Sequence, residues 1–287
     1  MRSILSRCHP LMLLFVSVLS ACPAGGGGDA FLPPPGLTSG GTTTCPADAW
    51  PFDTGAYLAD FVTEAPGETG GTFGNSLCAV NGVYGNGLNR GSGDVYSLKS
   101  SPASTMCEAN EKCIVLEWAG RRVLSGAGVD FVVFENPFNR TSGGRFIEAV
   151  IVEVSENGTA WCGWNPAYTG ETDSSVAQFS LDIYDVTKYD DVAGLEPVLF
   201  NQSTWTGTAA DVFDVAKAGG DHFDLADLVA SGSCDAGTVS AIQASGFVYL
   251  RMTTANSRSP AAFPLPGDSF DQTADIDGVV ARNVADR

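Results

Sequence analysis

Acidic residues stand at both ends of one of the most apolar segments of the chain. Asp130 opens the run FVVF (131–134) and Glu135 closes it, and further acids occur in the segments GGDHFD and ADID. A hard cation such as Ca²⁺ takes about six to eight oxygen ligands, which carboxylates and loop carbonyls at neighbouring strand ends supply. The sequence therefore predicts one calcium site, formed by Glu135, Asp221, Asp224, Asp275 and Asp277.

The same acids have a second interpretation, as capping residues. Asp side chains accept hydrogen bonds from nearby backbone N–H groups in turns and at helix starts. Asp224 precedes the segment LADL and fits the N-cap of a short helix. In this interpretation the acids stabilise turns and strand ends without binding a metal.

Two catalytic arrangements are conceivable from the residue types. Glu135, Glu148 and Glu153 would supply the carboxylate pair of a glycoside hydrolase, but nothing in the sequence places two of them across a cleft. A Ser-His-Asp triad would need His222, which lies in an acid-flanked turn, and the chain has no Gly-x-Ser-x-Gly elbow. The sequence therefore predicts no catalytic residue, and a surface glycoside hydrolase is kept as an alternative.

Aromatic residues concentrate in the central, loop-rich third of the chain. A flat ring can stack on the apolar face of a sugar while polar loop groups bind its hydroxyls. Trp164, Tyr168 and Trp205 are therefore the candidate ligand-binding residues of a carbohydrate-binding module. Trp161 adjoins Cys162, which favours a position in the core.

The N-terminal segment predicts export and lipid anchoring. Arg2 and Arg7 precede an apolar run, residues 11–19, which fits a secretory signal and is shorter than the roughly 20 residues that span a bilayer. Small residues then lead into Cys22, which resembles the lipobox of bacterial lipoproteins. In that family the peptidase cuts before the cysteine, so residues 1–21 are the predicted signal peptide and Cys22 the predicted lipidation site.

The rest of the chain divides into a tether and one domain. Residues 22–44 are rich in Gly, Pro and Thr and predict a linker, which leaves residues 45–287 as a single domain. Position 23 is Pro rather than Asp, so the usual signal for retention in the inner membrane is absent. The predicted location is the outer membrane or cell surface, with the lipid anchor as the contact to the membrane.

The charge of the chain excludes one class of partner. The net charge is −18, and loss of Arg2 and Arg7 with the signal peptide would leave 13 basic against 33 acidic residues. Such a charge repels nucleic acid and anionic membrane surfaces and attracts cations. The sequence therefore predicts no nucleic-acid partner.

Six of the eight cysteines remain after the signal peptide and Cys22 are set aside. An even number in an exported chain predicts three disulfides, for which fifteen pairings are possible. No Cys-x-x-Cys motif is present and His222 is the one histidine left, which argues against zinc. The expected pairs are Cys107–Cys113, which flank a short polar loop, Cys45–Cys78 and Cys162–Cys234.

The periodicity of the chain predicts an all-β fold. Short apolar runs bounded by Gly, Asn, Asp and Pro recur, and helical periodicity is nearly absent. Asn157-Gly158 predicts a hairpin between strands at 146–155 and 159–164, because both residues accept positive φ. A β-sandwich or jelly-roll-like single domain follows, with long loops, little helix and one short helix at 224–230. The other expected strands lie at 113–119, 129–135, 246–254 and 276–283.

Six segments, in this order, carry a resemblance to a known family: GSGDVYSL, GAGVDFVVFENPF, FIEAVIVEVSENGTAW, GLEPV, AGGDHFDLADL and FDQTADIDGVVA. Together, between residues 91 and 281, they resemble poorly characterised bacterial cell-surface proteins and lipoproteins. The last segment departs from the family pattern by three extra residues. The resemblance implies a β-sandwich surface module and implies no activity or ligand.

The sequence thus predicts a lipid-anchored bacterial surface protein whose domain is a non-catalytic binding or structural module, stabilised by calcium. A carbohydrate-binding module and a surface glycoside hydrolase are the two alternatives. The expected partners are the membrane, through the anchor, and glycans or other surface proteins.

Overall fold

The computed structural model describes residues 45, 50–100, 102–173, 180–265 and 272–287. The predicted signal peptide, Cys22 and the tether lie outside the described residues. Strands outweigh helices, 29% against 16%, and they pair in antiparallel sheets, so the predicted all-β class is confirmed. The described residues belong to one compact unit.

The strands are short and follow one another along the whole described chain. In chain order they are β1 (Tyr57–Leu58), β2 (Phe61–Glu64), β3 (Tyr96–Ser97), β4 (Cys113–Glu117), β5 (Arg121–Val123), β6 (Phe131–Phe134), β7 (Phe138–Asn139), β8 (Arg145–Phe146), β9 (Val150–Ser155), β10 (Cys162–Gly163), β11 (Ala167–Tyr168), β12 (Tyr189–Asp190), β13 (Asp221–Phe223), β14 (Tyr249–Thr254), β15 (Asp275–Ile276), β16 (Gly278–Ala281) and β17 (Val284–Asp286).

The α-helices of the described residues are α1 (Val215–Ala218), α2 (Ala236–Ser245) and α3 (Ala255–Arg258). Single 3₁₀ turns occur at Ser76–Ala79, Leu181–Tyr184, Val186–Lys188, Ala209–Phe213 and Leu225–Asp227.

The larger sheet has five antiparallel strands in the order β10-β9-β14-β4-β2. Its central strand, β14, pairs Leu250 with Leu116 of β4 on one side and with Val154 of β9 on the other. All three side chains are buried in the main hydrophobic cluster. The three inner strands of this sheet lie within the segments 113–119, 146–155 and 246–254 that the sequence predicted as strands.

The second sheet has four antiparallel strands in the order β1-β16-β6-β13, and its strand β6 is buried on both faces. Successive side chains of a strand point to opposite faces. Phe131 and Val133 join the main cluster, whereas Val132 and Phe134 pack in a second cluster with Phe200. Two buried faces explain why the run FVVF is uninterrupted by polar residues.

The two sheets share one hydrophobic core. The main cluster contains residues of β4, β9 and β14 from one sheet and of β6 and β16 from the other. Antiparallel strands with a common core agree with the predicted all-β domain. Its finer description as a sandwich or jelly roll stays a prediction.

The Asn157-Gly158 turn joins β9 to β10, which pair antiparallel with Cys162 opposite Val154. Of the two residues for which the hairpin prediction expected positive φ, Gly158 has it, at +75°, and Asn157 does not. The Asn157 side chain accepts hydrogen bonds from the backbone N–H of Thr159 and Ala160, at 2.9 and 3.0 Å. These bonds lengthen the turn, so the predicted return strand at 159–164 is reduced to Cys162–Gly163.

The helix predicted at 224–230 is one 3₁₀ turn, Leu225–Asp227, and the longest helix is α2, which the sequence did not indicate. Asp235 caps α2 by accepting the N–H of Thr238 at 2.7 Å, and Gly246, with φ +83°, follows the last residue of the helix. Only Val239 and Ile242 of α2 are buried. Two buried apolar residues are too few to give the sequence a recognisable helical periodicity of hydrophobic residues.

Three disulfides link Cys45 with Cys78, Cys107 with Cys113, and Cys162 with Cys234. These are the pairs expected from the sequence. The second and third lie near the same groove, which is described below.

Candidate functional site

Asp130, which precedes β6, is a buried structural cap. Its Oδ1 accepts the backbone N–H of Gly126 at 2.6 Å and its Oδ2 accepts that of Leu225 at 2.8 Å. Burial raises the pKa of Asp130, and these two bonds oppose that shift. The acid at the start of the apolar strand therefore ties together two loops.

Asp224 caps the following 3₁₀ turn, as the alternative interpretation expected. Asp224 is half-buried, and it accepts the N–H of Ala226 at 2.8 Å in a solvent-exposed hydrogen bond. Its role is to cap the start of the turn, and the structure gives it no part in a cluster with Glu135 or Asp275.

Asp221, on β13, is held by three consecutive backbone amides. Oδ2 accepts from the N–H of Gly194 and Leu195, at 2.8 and 3.1 Å, and Oδ1 accepts from Glu196 at 3.2 Å. Burial raises its pKa to about 7, and the first two of these bonds are the strongest opposing effect. Both oxygens of Asp221 are therefore already engaged.

Glu135, at the end of β6, is 1% exposed and only partly hydrogen-bonded. Its Oε1 accepts the N–H of Asp275 at 2.9 Å, whereas its buried Oε2 has no hydrogen-bond partner. Burial raises the pKa of Glu135 well above its usual range, and the charges of Asp275 and Asp221 raise it further.

The predicted acids on the C-terminal side are also buried. Asp275 accepts from the hydroxyl of Ser97 and, at 3.5 Å, from Nδ2 of Asn136. Asp277 accepts the N–H of Tyr84 with both oxygens, at 3.0 and 3.2 Å. Burial raises the pKa of Asp277 well above its usual range.

The five predicted calcium ligands do not meet at one point. Among the described residues, only one set of three metal-ligand side chains has donor atoms within 4.8 Å of one another, namely Cys45, Cys78 and Asp94. Cys45 and Cys78 form a disulfide, so neither offers a thiolate. The five predicted ligands therefore do not form one site. Asp224 caps a turn, and Asp221 accepts hydrogen bonds from backbone amides. Glu135, Asp275 and Asp277 are buried near one another.

The aromatic candidates are not exposed platforms. Trp164 is 5% exposed, packs against Phe131 and Phe223, and donates its indole N–H to the carbonyl of Asp224 at 3.1 Å. Tyr168 packs on Tyr189, with ring centroids 4.7 Å apart. The prediction that Trp164 binds a ligand is therefore wrong, because Trp164 belongs to the core.

Trp205 is partly buried rather than free in its loop. Its ring lies edge-on to Phe200, with centroids 4.9 Å apart, and it borders the second hydrophobic cluster. The structure therefore places Trp205 partly against the core rather than on a fully exposed platform.

An open groove of about 750 Å³ lies elsewhere, over strands β9 and β14 of the five-stranded sheet. Its walls are the segments 103–109 and 231–233, the turn after β9 contributes residues 158, 159 and 161, and its floor holds Glu153, Arg251 and Arg258. We call this feature the sheet groove. The sequence predicted the Cys107–Cys113 disulfide, but it did not indicate either wall or either arginine as part of a binding site.

The floor of the sheet groove is a network of ion pairs. Glu153 of β9 lies opposite Arg251 of β14 in the strand register, and Arg251 donates to Glu153 Oε2 from Nε at 2.8 Å and from Nη2 at 2.7 Å. Arg258, the last residue of α3, donates from Nη2 to both oxygens of Glu153 at 3.1 Å. It also pairs with Glu111 at 2.6 Å.

The first wall of the groove is fixed from three sides. Glu64 accepts from the N–H of Thr105 and of Met106, at 3.2 and 3.0 Å, and Arg251 Nη1 donates to the carbonyl of Met106 at 2.7 Å. The Cys107–Cys113 disulfide closes the segment onto β4. The wall is therefore held in place without any ligand.

The opposite wall is fixed in a similar way. Ser233 accepts the N–H of Trp161 at 3.1 Å through its hydroxyl, and the Cys162–Cys234 disulfide joins this wall to β10. The guanidinium of Arg251 lies over the Trp161 ring, 4.3 Å from its centroid. Trp161 is buried, as the sequence predicted, and supports the floor rather than stacking on a ligand.

The carboxylates proposed for glycosidase chemistry are unsuited to it. Glu135 and Glu148 are buried, 1% and 3% exposed, and neither lines the sheet groove. Glu153 does line it, but guanidinium groups bind both of its oxygens. His222 sits half-buried in β13, where burial lowers its pKa.

Comparison with family models, with curated proteins and with solved structures finds no match for this chain. Within the described residues, no helix has both the length and the hydropathy required of a membrane-spanning segment.

Proposed function

We propose that the protein is a lipid-anchored bacterial surface protein whose domain binds a hydroxyl-rich saccharide chain in the sheet groove, without catalysis. The observation that carries this proposal is the groove itself, whose two walls are each tied by a disulfide and by hydrogen bonds to the sheet. Walls that are fixed in advance reduce the ordering cost of binding.

The groove chemistry favours a neutral, polar ligand. Two guanidinium groups, of Arg251 and Arg258, face the carboxylates of Glu153 and Glu111, and the lining residue Glu108 lies 4.0 Å from Arg258. The rim adds exposed hydroxyl groups, those of Ser104, Thr105, Thr159, Ser231 and Ser233. Arginines that are fully matched by carboxylates do not attract an anion, whereas fixed donors and acceptors suit sugar hydroxyls.

The same floor supports a non-catalytic role. A general acid in a glycoside hydrolase needs a carboxyl group that can approach the glycosidic oxygen. Both oxygens of Glu153 are bound by arginines, and Glu111 is buried against Arg258. This geometry favours a carbohydrate-binding module over the alternative of a surface hydrolase.

The groove is tested by blocking it. Ser231→Trp places a large ring in the groove from an exposed wall position, and Ser240→Trp, on the exposed side of α2, is the matched control. We expect wild type and Ser240→Trp to be retarded by one or more neutral polysaccharides in affinity gel electrophoresis, and Ser231→Trp to migrate freely. Equal retardation of all three proteins would contradict the proposal.

The lipid anchor rests on the sequence around Cys22, which lies outside the described residues. The proposal expects Cys22→Ala to lose labelling by a radioactive or clickable fatty acid and to be released from the membrane fraction. Continued labelling and membrane retention of this variant would contradict the anchor, without bearing on the groove.

A further inference from the structure

A row of acidic side chains runs through the interior at one end of β6. Burial and neighbouring negative charge both raise the pKa values of its members. The charges of Asp275 and Asp221 disfavour the charged form of Glu135. The charges of Asp94 and Asp275 do the same for Asp277. The row therefore joins β13, β6 and β15 to the loop that carries Asp94. Several buried carboxylates that repel one another cannot all remain charged without a counter-charge.

Protein cations do not supply that counter-charge to the middle of the row. Glu135, Asp277 and Asp94 take part in none of the ion pairs formed by the described residues. The arginines of the sheet groove are paired with Glu153 and Glu111 instead. Either protons or a bound cation must compensate the row.

Two oxygens of the row are buried without a hydrogen-bond partner. They are Oε2 of Glu135, whose residue is 1% exposed, and Oδ1 of Asp94. An unsatisfied buried acceptor costs free energy comparable to a lost hydrogen bond, and more when it is charged. Capping of backbone N–H groups explains the positions of Asp130 and Asp224, but it does not explain the unpaired oxygen of Glu135.

Oε2 of Glu135 and the carbonyl oxygen of Glu148 both lie close to Gly194. A β-carbon added at Gly194 would lie 3.3 Å from Glu135 Oε2 and 2.7 Å from the carbonyl oxygen of Glu148. Gly194 has φ +89°, a conformation that L-residues with a side chain rarely adopt. The absence of a side chain at this position therefore leaves both oxygens facing the same small space.

We propose that a single hard divalent cation of the calcium type binds at Glu135 Oε2, with the Glu148 carbonyl oxygen and the Asp275 carboxylate as its neighbouring oxygens. All of the candidate donors are oxygens, which Ca²⁺ prefers, and no cysteine thiolate or histidine nitrogen takes part. The ion would tie the end of β6 to β15 and to the loop at Gly194.

The geometry limits how tightly this ion is held. No three carboxylate side chains of the described residues have oxygens within 4.8 Å of one another, so backbone carbonyls and water must complete the coordination. Sites with few charged ligands in extracellular modules bind Ca²⁺ with dissociation constants of about 0.1–1 mM. We expect an affinity in that range.

The test is thermal melting of the full-length chain in detergent, freed of metal by a chelator and titrated with CaCl₂. A concentration about tenfold above the dissociation constant should raise the midpoint by roughly 3–6 °C. MgCl₂ at the same concentration controls for ionic strength. Glu135→Gln keeps the shape of the side chain but removes its charge, and Asp224→Asn is the matched control at an acid that caps a turn outside the row.

We expect calcium to stabilise wild type and Asp224→Asn equally and to leave Glu135→Gln unchanged. Calorimetric titration of wild type should give one site, a result that does not depend on the folding of any variant. No calorimetric binding and no shift in wild type would overturn the proposal, and so would an equal shift in Glu135→Gln. If calcium has no effect and Glu135→Gln melts higher than wild type at pH 7, protons compensate the row and the cation site is refuted.

Discussion

The carboxylate of Asp130 accepts the backbone N–H of Leu225 at 2.8 Å, across 95 residues of chain. Its other oxygen accepts from Gly126, so one buried acid joins the loop before β6 to the turn after β13. These strands are neighbours in the four-stranded sheet. The acid at the start of the run FVVF therefore fixes how two loops meet.

Replacing Asp130 should destabilise the fold more than replacing Asp224. Asp130→Ala leaves the buried N–H of Leu225 and the part-buried N–H of Gly126 without an acceptor, and we expect the free energy of unfolding to fall by about 2–3 kcal/mol. Asp224→Ala removes a solvent-exposed capping bond and should cost only about 1 kcal/mol. Urea denaturation of both variants measures the difference, and equal losses would contradict the role given to Asp130.

Asp94 should make stability depend on pH. Burial raises its pKa to about 6, while the hydrogen bond from Asn81 opposes the shift. Because its pKa is higher in the folded than in the unfolded chain, protonation favours the fold. This contribution is fully present below about pH 4, the unfolded value, and is lost as the pH rises through about 6.

Asp94→Asn mimics the protonated form and should remove this dependence. Between pH 4 and pH 7, wild type should lose about 1 kcal/mol of stability relative to the variant, since partial exposure weakens the effect. Urea denaturation at several pH values tests this, with Asp53→Asn at an exposed position as the control. Parallel profiles for wild type and Asp94→Asn would show that Asp94 does not titrate in this range.

The fold could be predicted from the sequence where one physical signal dominates. β4, β6, β9 and β14 lie within the expected apolar runs, because burial in a shared core demands such runs. The disulfide pairs also agree with expectation. The helix α2 was missed, since it buries only Val239 and Ile242 and its caps, Asp235 and Gly246, resemble turn residues.

The candidate site could be predicted only in part. Carboxylates at strand ends were recognised, but a sequence does not show whether an oxygen meets a backbone N–H, as in Asp221, or is left unpaired, as in Glu135. The sheet groove was missed because Glu153 and Arg251 become neighbours only through the pairing of β9 with β14. Arg258, which contacts Glu153, lies 105 residues from it in the sequence.

The two groove disulfides should differ in their effects on stability and binding. The Cys162–Cys234 bridge spans 72 residues and Cys107–Cys113 spans 6. Loop entropy predicts losses of about 4 and about 2 kcal/mol when each pair is replaced by alanine. Cys107→Ala/Cys113→Ala should nevertheless weaken saccharide binding, because it frees a wall of the groove. Unchanged affinity in this double variant would argue against a fixed wall.

Trp164 should behave as a core residue. Its ring packs against Phe131 and Phe223 and its indole N–H is satisfied by a backbone carbonyl. Trp164→Ala should therefore lower the free energy of unfolding by about 3–5 kcal/mol. Trp164→Phe should retain most of that stability and all of the saccharide binding. Loss of binding in a stably folded Trp164→Phe would restore the aromatic-platform hypothesis.

The sheet groove as a saccharide site is tested most directly by hydrogen exchange of the full-length chain, with and without a neutral polysaccharide that retards it in gels. We expect slower amide exchange in segments 103–109 and 231–233 and in the turn at Gly158, which line the groove. Exchange around Tyr168 and Trp205 should be unchanged. Protection at Tyr168 and Trp205, with none in the groove walls, would contradict saccharide binding in the sheet groove.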